Sequence, residues 1–420
     1  MRGSLVSNLA ALRSVFGNRN FAIYVSANSI SLIGFWMQRL AISWLTWELT
    51  ESEFWVGAVA FAELAPLLLV SPIVGVWADR FDRKLLTILT QSGMMLQAFA
   101  LYVLIILDVV TVELLFFFAL LDGILQAAHQ PIRLSIVPNL VARKDIVSAS
   151  SFTAVLFNVA RLVGPALAGI VISLFGTALA VLINAITFIP ILLAWSFIRL
   201  PANKTNEMST SISRGISEGV TYIRDIPALG SIFVLQTVMA CGVRPVTLML
   251  AAFIGAVYQG GADDLALYTA VLGFGAVAGG MYITLRGRAQ GLVSSMLLNA
   301  LLSIFALIMF AWTQSYTLGL LLIFIVGWSV TLSAVASQTM VQNSIHDKVR
   351  GRVLALWAAM TRGATAIGVL IIGVFADFFG LFWPNLVAAL ICLAVLIWYW
   401  RYRQQMQEYF EAEPLTELSE

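Results

Sequence analysis

Apolar runs of about 20 residues, separated by short polar turns, recur along almost the whole chain. Read in order, they predict spans near 22–48, 54–78, 84–108, 112–137, 148–175 and 177–198. A polar break from Arg199 to Pro227 follows, and a second set lies near 228–257, 265–285, 291–313, 316–343, 350–377 and 381–401. A helix rises 1.5 Å per residue, so each run can cross a hydrocarbon core of about 30 Å with its backbone hydrogen bonds satisfied internally. The pattern predicts an all-α membrane protein of twelve transmembrane helices in two pseudo-symmetric six-helix bundles. Its expected parts are a cytoplasmic amphipathic lead-in (1–20), a first bundle (21–198), a cytoplasmic linker (199–227), a second bundle (228–401) and a cytoplasmic acidic tail (402–420).

An internal repeat supports two related halves. One offset of 204 places Asn139 on Asn343, Lys144 on Lys348, Gly164 on Gly368, Gly169 on Gly373 and Gly176 on Gly380. The fifth and eleventh runs are therefore expected to be equivalent, with a substrate site at the seam between halves.

Composition sharpens the class. With 60% hydrophobic and 11% charged residues and a mean hydropathy of +0.93, too few polar side chains exist to cover a water-soluble fold of 420 residues. The net charge of +2 hides an asymmetric distribution and says nothing about nucleic acid, but no basic tract is interleaved with aromatics, so no nucleic-acid partner is expected. Cys241 and Cys392 both lie inside apolar runs, so neither a disulfide framework nor a zinc spacing is present. No metal site or cofactor is expected. His129 and His346 stand in separate contexts without a His-Glu-x-x-His pattern, and no Gly-rich loop ends in Lys-Ser/Thr, which argues against an enzyme or a nucleotide-driven pump.

Charge in the turns sets the orientation. Arg80, Arg83 and Lys84, then Arg143 and Lys144, then Arg286 and Arg288, then Lys348, Arg350 and Arg352 mark every second connection, whereas the intervening turns carry Glu51, Glu53, Asp108, Glu113, Asp263 and Asp264. The positive-inside rule then makes both termini and the linker cytoplasmic. Arg2 to Asn20 is short and polar-interrupted and is expected to be a lead-in without a signal peptide. The linker, with Arg214, Glu218 and Arg224, is expected to be a surface helix or a solvated tether. The tail after Arg403, with Glu408, Glu411, Glu413, Glu417 and Glu420, is expected to be disordered.

The segment Gly75-x-x-x-Asp79-Arg80-x-Asp82-Arg83-Lys84 after the second run resembles the signature loop of the major facilitator superfamily, with Asp82 where the superfamily usually has Gly. That variant is frequent in the branch of twelve-span bacterial drug and siderophore exporters. The resemblance extends to Gly34-Phe35-Trp36-Met37-Gln38 and to Arg350-Gly351-Arg352, and it implies the major facilitator fold. Physically, Gly75 permits close helix approach, Asp79 can face the start of the eleventh span near Gly351, and Arg80, Asp82, Arg83, Arg350 and Arg352 complete a cytoplasmic gate. The alternative is that the loop only fixes topology. Ala160-x-x-x-Gly164-Pro165-x-x-Ala168-Gly169 resembles the Gly-Pro motif of the superfamily's antiporters, with two expected glycines replaced by alanine. Helix packing alone would require the same pattern.

Ionisable residues far from any turn are costly in a membrane and usually face a water-filled cavity. Arg39, Arg161, Arg244 and Arg362 lie in the first, fifth, seventh and eleventh runs, against Glu63 in the second and Asp122 in the fourth. Counted from the external turns, Arg39, Glu63 and Asp122 reach similar depth, so Arg39 is expected to pair with one or both acids. Asp122, Gln126, His129 and Arg133 form one helical stripe, and Asn158 and Arg161 share the idea on the fifth run. These positions predict proton coupling by Glu63 and Asp122 with Arg39 and His129. Substrate contact is predicted for Arg39, Gln126, His129, Asn158, Arg161, Arg244 and Arg362. A static ion pair for the acids, and polar packing for His129, are the competing readings. Guanidinium forks suit carboxylate or phosphate, so the expected cargo is a small anionic or amphipathic molecule; the resemblance implies that it is siderophore-like or drug-like and is exported by a proton-coupled transporter, expected to be a monomer. Import of an organic anion and a transport-inactive scaffold are the alternatives.

Overall fold

The computed structural model describes residues 14–68, 70, 82–198, 212–286 and 290–411. Among them every regular element is helical. The first half comprises α1 (Arg19–Thr50), α2 (Glu53–Leu64), α3 (Arg83–Ile106), α4 (Val112–Leu140), α5 (Ile146–Phe175) and α6 (Thr177–Phe197). A linker helix α7 (Ile212–Asp225) leads to α8 (Pro227–Gly242), α9 (Ala262–Arg286), α10 (Leu292–Trp312), α11 (Tyr316–Ser344), α12 (Asp347–Phe379), α13 (Phe382–Trp400) and a terminal α14 (Arg403–Phe410). Nine of the described helices are long and apolar enough to cross a membrane. Large apolar side chains such as Leu96, Phe99, Leu174, Leu193, Leu285 and Phe378 are exposed on their outer faces, as lipid contact requires.

Local chemistry fixes the helix ends. Asn18 caps α1 by accepting from Asn20 N at 3.1 Å and Phe21 N at 3.4 Å, and Asp82 caps α3 by accepting from Lys84 N at 2.7 Å and Leu85 N at 3.3 Å. Lys84 Nζ donates across to Ile198 O at 2.9 Å, closing the end of α6. Gly176 and Gly380 terminate α5 and α12 with φ of +82° and +73°, a conformation that suits only glycine. The offset of 204 thus joins residues with the same backbone task.

Contacts group the chain into two units. One holds 1–51, 62–209 and 260–270; the other holds 52–61, 210–259 and 271–420. The unit boundaries depart from the linear halves because a short segment from each half packs with the other. In the second unit Gly57 lies on α12, where an added Cβ would stand 2.7 Å from Val369 O and 3.1 Å from Gly373 Cα, and Ser52 Oγ donates to Asp377 Oδ1 at 2.7 Å. In the first, Gly169 leaves no room for a Cβ beside Ala266 of α9. The core of the first unit gathers Phe21, Tyr24, Ile132, Ile136, Ile191 and Trp195.

Two expectations change and one narrows. The seventh run is not one helix: α8 stops at Gly242, and a 3-10 turn (Arg244–Thr247), a helical turn (Leu250–Ala252) and a π turn (Phe253–Val257) follow. Pro245 lacks an N–H and disfavours helix at the residue before it. Of the linker, the described part from Ile212 is a helix, as one of the two alternatives has it, and not a solvated tether: α7 packs on α8 and α12, with Glu218 ion-paired to Arg352 and Gly219 against Leu356. The tail is ordered to Glu411: Met406 and Phe410 are buried, and Gln407 Nε2 donates to Ser294 Oγ at 3.1 Å. Glu411 accepts from Gly291 N at 2.7 Å and Val293 N at 2.9 Å, capping α10. Burial, reinforced by Tyr222 of α7, holds the Tyr409 phenol above its ordinary range.

Candidate functional site

Small residues set the stage. Gly34 of α1 lies against Asn184 of α6, where a Cβ would meet Asn184 Oδ1 at 2.8 Å, and Gly164 of α5 lies against α1, with Trp36 Cβ at 2.5 Å and Ile33 O at 3.0 Å from the added atom. Gly123 of α4 admits the backbone of α2, placing Glu63 O at 2.5 Å from its would-be Cβ. Glu63 is thereby brought beside Asp122.

A buried amide chain locks this geometry. Asn184 Nδ2 donates to Gln38 Oε1 at 2.7 Å, Gln38 Nε2 to Gln97 Oε1 at 3.2 Å, and Gln97 Nε2 to Phe118 O at 3.3 Å, tying α6, α1, α3 and α4. Each group would cost about 1–3 kcal/mol if left unpaired. Among amides inside apolar runs, the sequence reading singles out Gln126 and Asn158 and misses this network, of which Gln38, Gln97 and Asn184 are the signal.

Arg39 Nε lies 3.1 Å from Glu63 Oε1, with side-chain exposures of 22% and 20%. Asp122, 9% exposed, has Glu63 and Arg39 as its charged neighbours. Arg161 is partly buried with Arg39 as its charged neighbour, and among the described residues no carboxylate stands within ion-pair distance of it. Arg39 also lies over the Trp36 ring at 5.3 Å, and Arg133 over the Phe157 ring at 5.5 Å. The result is one cluster, wholly within the first unit, of Arg39, Glu63, Asp122 and Arg161, in which Arg161 has no acid at ion-pair distance.

Not every predicted residue joins it. His129 is buried, with Nδ1 bonded to Thr90 Oγ1 of α3 at 3.1 Å, a contact that fits the packing alternative better than proton relay or substrate contact. Asn158 is exposed and donates to its own helix at Ala154 O, 2.9 Å away, while Gln126 is partly buried on the stripe. Arg244, in the 3-10 turn, and Arg362, on α12, belong to the second unit. Gly75, Asp79 and Arg80 lie outside the described residues; Asp82 and Arg83 begin α3, Arg350 is exposed on the first turn of α12, and Arg352 is held by Glu218. Pro165 is buried within α5, which continues through it.

A family model described as a transmembrane secretion effector matches residues 7–420. The chain is 24% identical over 365 residues to the staphyloferrin A transporter of Staphylococcus aureus, covering 85% of this chain and 90% of that protein. It is 26% identical over 377 residues to the enterobactin exporter of Salmonella choleraesuis, covering 88% and 86%. Among solved structures, a bacterial homologue of the lysosomal transporter Spinster, inward-facing and unoccupied, superimposes with a TM-score of 0.73 at 14% identity, covering 93% of this chain and 98% of that one. A bacterial homologue of the iron transporter ferroportin, inward-facing, gives 0.67 at 15%, covering 91% and 98%. Those structures share the fold.

Proposed function

We propose, from the premise that this chain belongs to the transmembrane secretion effector family of the major facilitator superfamily, that it is a proton-coupled exporter of a small anionic, siderophore-type molecule. As a multi-pass membrane transporter and not an enzyme, it has chemistry of binding and release only. The observation that carries the cargo's sign is Arg161, a partly buried cation beside Arg39 with no carboxylate partner among the described residues. Burying a charge without compensation is costly, so the site is completed by an anion. The names of the staphyloferrin and enterobactin relatives support a siderophore, and that of the second supports outward transport.

Arg39 links cargo to proton. When Glu63 is ionised it holds Arg39; an anion that takes Arg39 leaves Glu63 as an unpaired charge, which a proton neutralises. Anion and proton therefore occupy the site together, and a polyanion leaves a bacterial cytoplasm on its remaining charge, each worth about 2.3 kcal/mol per 100 mV. The Gly164-Pro165 resemblance favours the second reading, exchange of cargo for an incoming proton. In this structure, however, Gly164 and Gly169 have packing tasks on α1 and α9.

Alternating access moves the two halves around this site, in a monomer of the inner membrane with both termini cytoplasmic. The signature loop with Asp82 and Arg83 serves the cytoplasmic gate, and the Arg352–Glu218 pair ties α12 to the linker helix. The test uses everted inner-membrane vesicles energised by respiration, with and without the protein. A carboxylate siderophore should accumulate, and an uncoupler or valinomycin with potassium should abolish this while nigericin does not. Accumulation of a cationic dye alone would overturn the anion reading, and accumulation of neither would overturn export.

A further inference from the structure

Arg133, like Arg161, is a partly buried cation of the first unit with no carboxylate at ion-pair distance among the described residues. It sits seven residues from the Leu140 end of α4 and eleven beyond Asp122, roughly 16 Å along the helix axis from that acid. Between Arg133 and Arg39 stand two aromatic rings. Arg133 Cζ lies 5.5 Å from the Phe157 centroid, Phe157 meets Trp36 edge to face at 5.7 Å and 70°, and Arg39 Cζ lies 5.3 Å from the Trp36 centroid. The order is cation, ring, ring, cation. Its position is fixed by Gly164, whose missing Cβ lets α5 lie on α1 at Trp36. A third observation points to a ligand: the buried indole Nε1 of Trp36 has no hydrogen-bond acceptor. Ring faces soften the cost of a guanidinium away from water but do not neutralise it, and an indole N–H out of water lacks an acceptor that a ligand can supply.

We propose that Arg133, Phe157 and Trp36 form a second ligand subsite, on the Lys/Arg-bearing side of the Arg39 cluster, that takes a planar aromatic ring bearing an acidic oxygen. The anionic oxygen pairs with the Arg133 guanidinium and the ring packs on Phe157; Trp36 Nε1 is the donor for a second oxygen substituent where the ring carries one. This deepens the reading above by naming the substrate class, aryl acids over saturated acids of equal charge, and it rests on that reading for the anion site itself.

The test is a matched pair of probes, 2-naphthoate and decahydro-2-naphthoate, titrated into the full chain in lipid nanodiscs at pH 7, where both are ionised. The wild type should bind the aromatic acid about tenfold more tightly, the size of one edge-to-face ring contact. Phe157→Leu and Phe157→Met should bring the two affinities together, Phe157→Tyr should restore the preference, and Arg133→Gln should weaken both acids. Equal affinities in the wild type, a preference that survives Phe157→Leu or Phe157→Met, or unchanged binding in Arg133→Gln would each overturn the subsite. The wild-type ratio decides even if a variant fails to fold. Energised siderophore accumulation is scored separately: its loss alongside an intact naphthoate preference sinks the exporter and leaves the subsite, and the opposite pattern sinks only the subsite.

Discussion

Replacing Arg161 with glutamine should separate a binding arginine from a structural one. Arg161 has no carboxylate within ion-pair distance among the described residues and neighbours Arg39, so neutralising it removes like-charge repulsion and breaks no ion pair. The cargo-free protein should therefore melt at the same temperature or higher. Arg39→Gln is the contrast, because it strips Glu63 of a partner at 3.1 Å. Breaking a fully buried pair costs about 3–5 kcal/mol, and the residual exposure of this one brings the expected loss to about 2–3 kcal/mol. For cargo the order differs. A charge-assisted hydrogen bond is worth about 1.5–3 kcal/mol, so Arg161→Gln should weaken a carboxylate siderophore by about 10- to 150-fold. The assay is calorimetric titration in nanodiscs, with thermal unfolding followed by intrinsic fluorescence. Should Arg161→Gln destabilise the empty protein as much as Arg39→Gln, or leave affinity untouched, the argument from the uncompensated cation fails.

Other consequences are more local. Gly164→Val should cost about 1–3 kcal/mol by driving a side chain into Trp36 and Ile33, read as a lower melting temperature. Gln38→Ala leaves Asn184 Nδ2 and Gln97 Oε1 without their partner, and a double-mutant cycle with Asn184→Ala should give a coupling of about 0.5–3 kcal/mol. Glu411→Ala removes the cap on α10 and should cost about 0.5–2 kcal/mol, with faster amide exchange at Val293 and its neighbours. An unchanged exchange rate there would mean that the tail helix is held by Met406 and Phe410 alone.

The convergence of Arg39, Glu63 and Asp122 was legible in the sequence because a bilayer supplies a ruler. Residues equally far from the external turns share a depth, and 1.5 Å per residue converts spacing into height. What the ruler cannot give is azimuth. His129 was on the right helix and at a useful depth, yet it turns to Thr90 of α3, and Arg133, one turn further on, faces Phe157 instead. The amide chain through Gln38 was missed because neutral polar groups were not read with the same suspicion as charges. At Arg244, hydropathy outweighed Pro245 and a broken segment was read as a continuous span. The tail misled through its acidic composition: two apolar side chains and one capping carboxylate suffice to dock a short helix when another helix offers unpaired N–H groups. The offset of 204 was legible, and Gly176 and Gly380 show why, since a positive φ at the end of an equivalent helix restricts both halves to the same residue.

The coupling claim is tested most directly by proton flux in proteoliposomes of known orientation. Adding a carboxylate siderophore to the cytoplasmic face, with the potential clamped by valinomycin and potassium, should move protons in the same direction as the cargo. The double variant Glu63→Gln with Asp122→Asn should abolish that movement. Cargo transport without proton movement, proton movement opposite to the cargo, or flux that persists in the double variant would contradict the account.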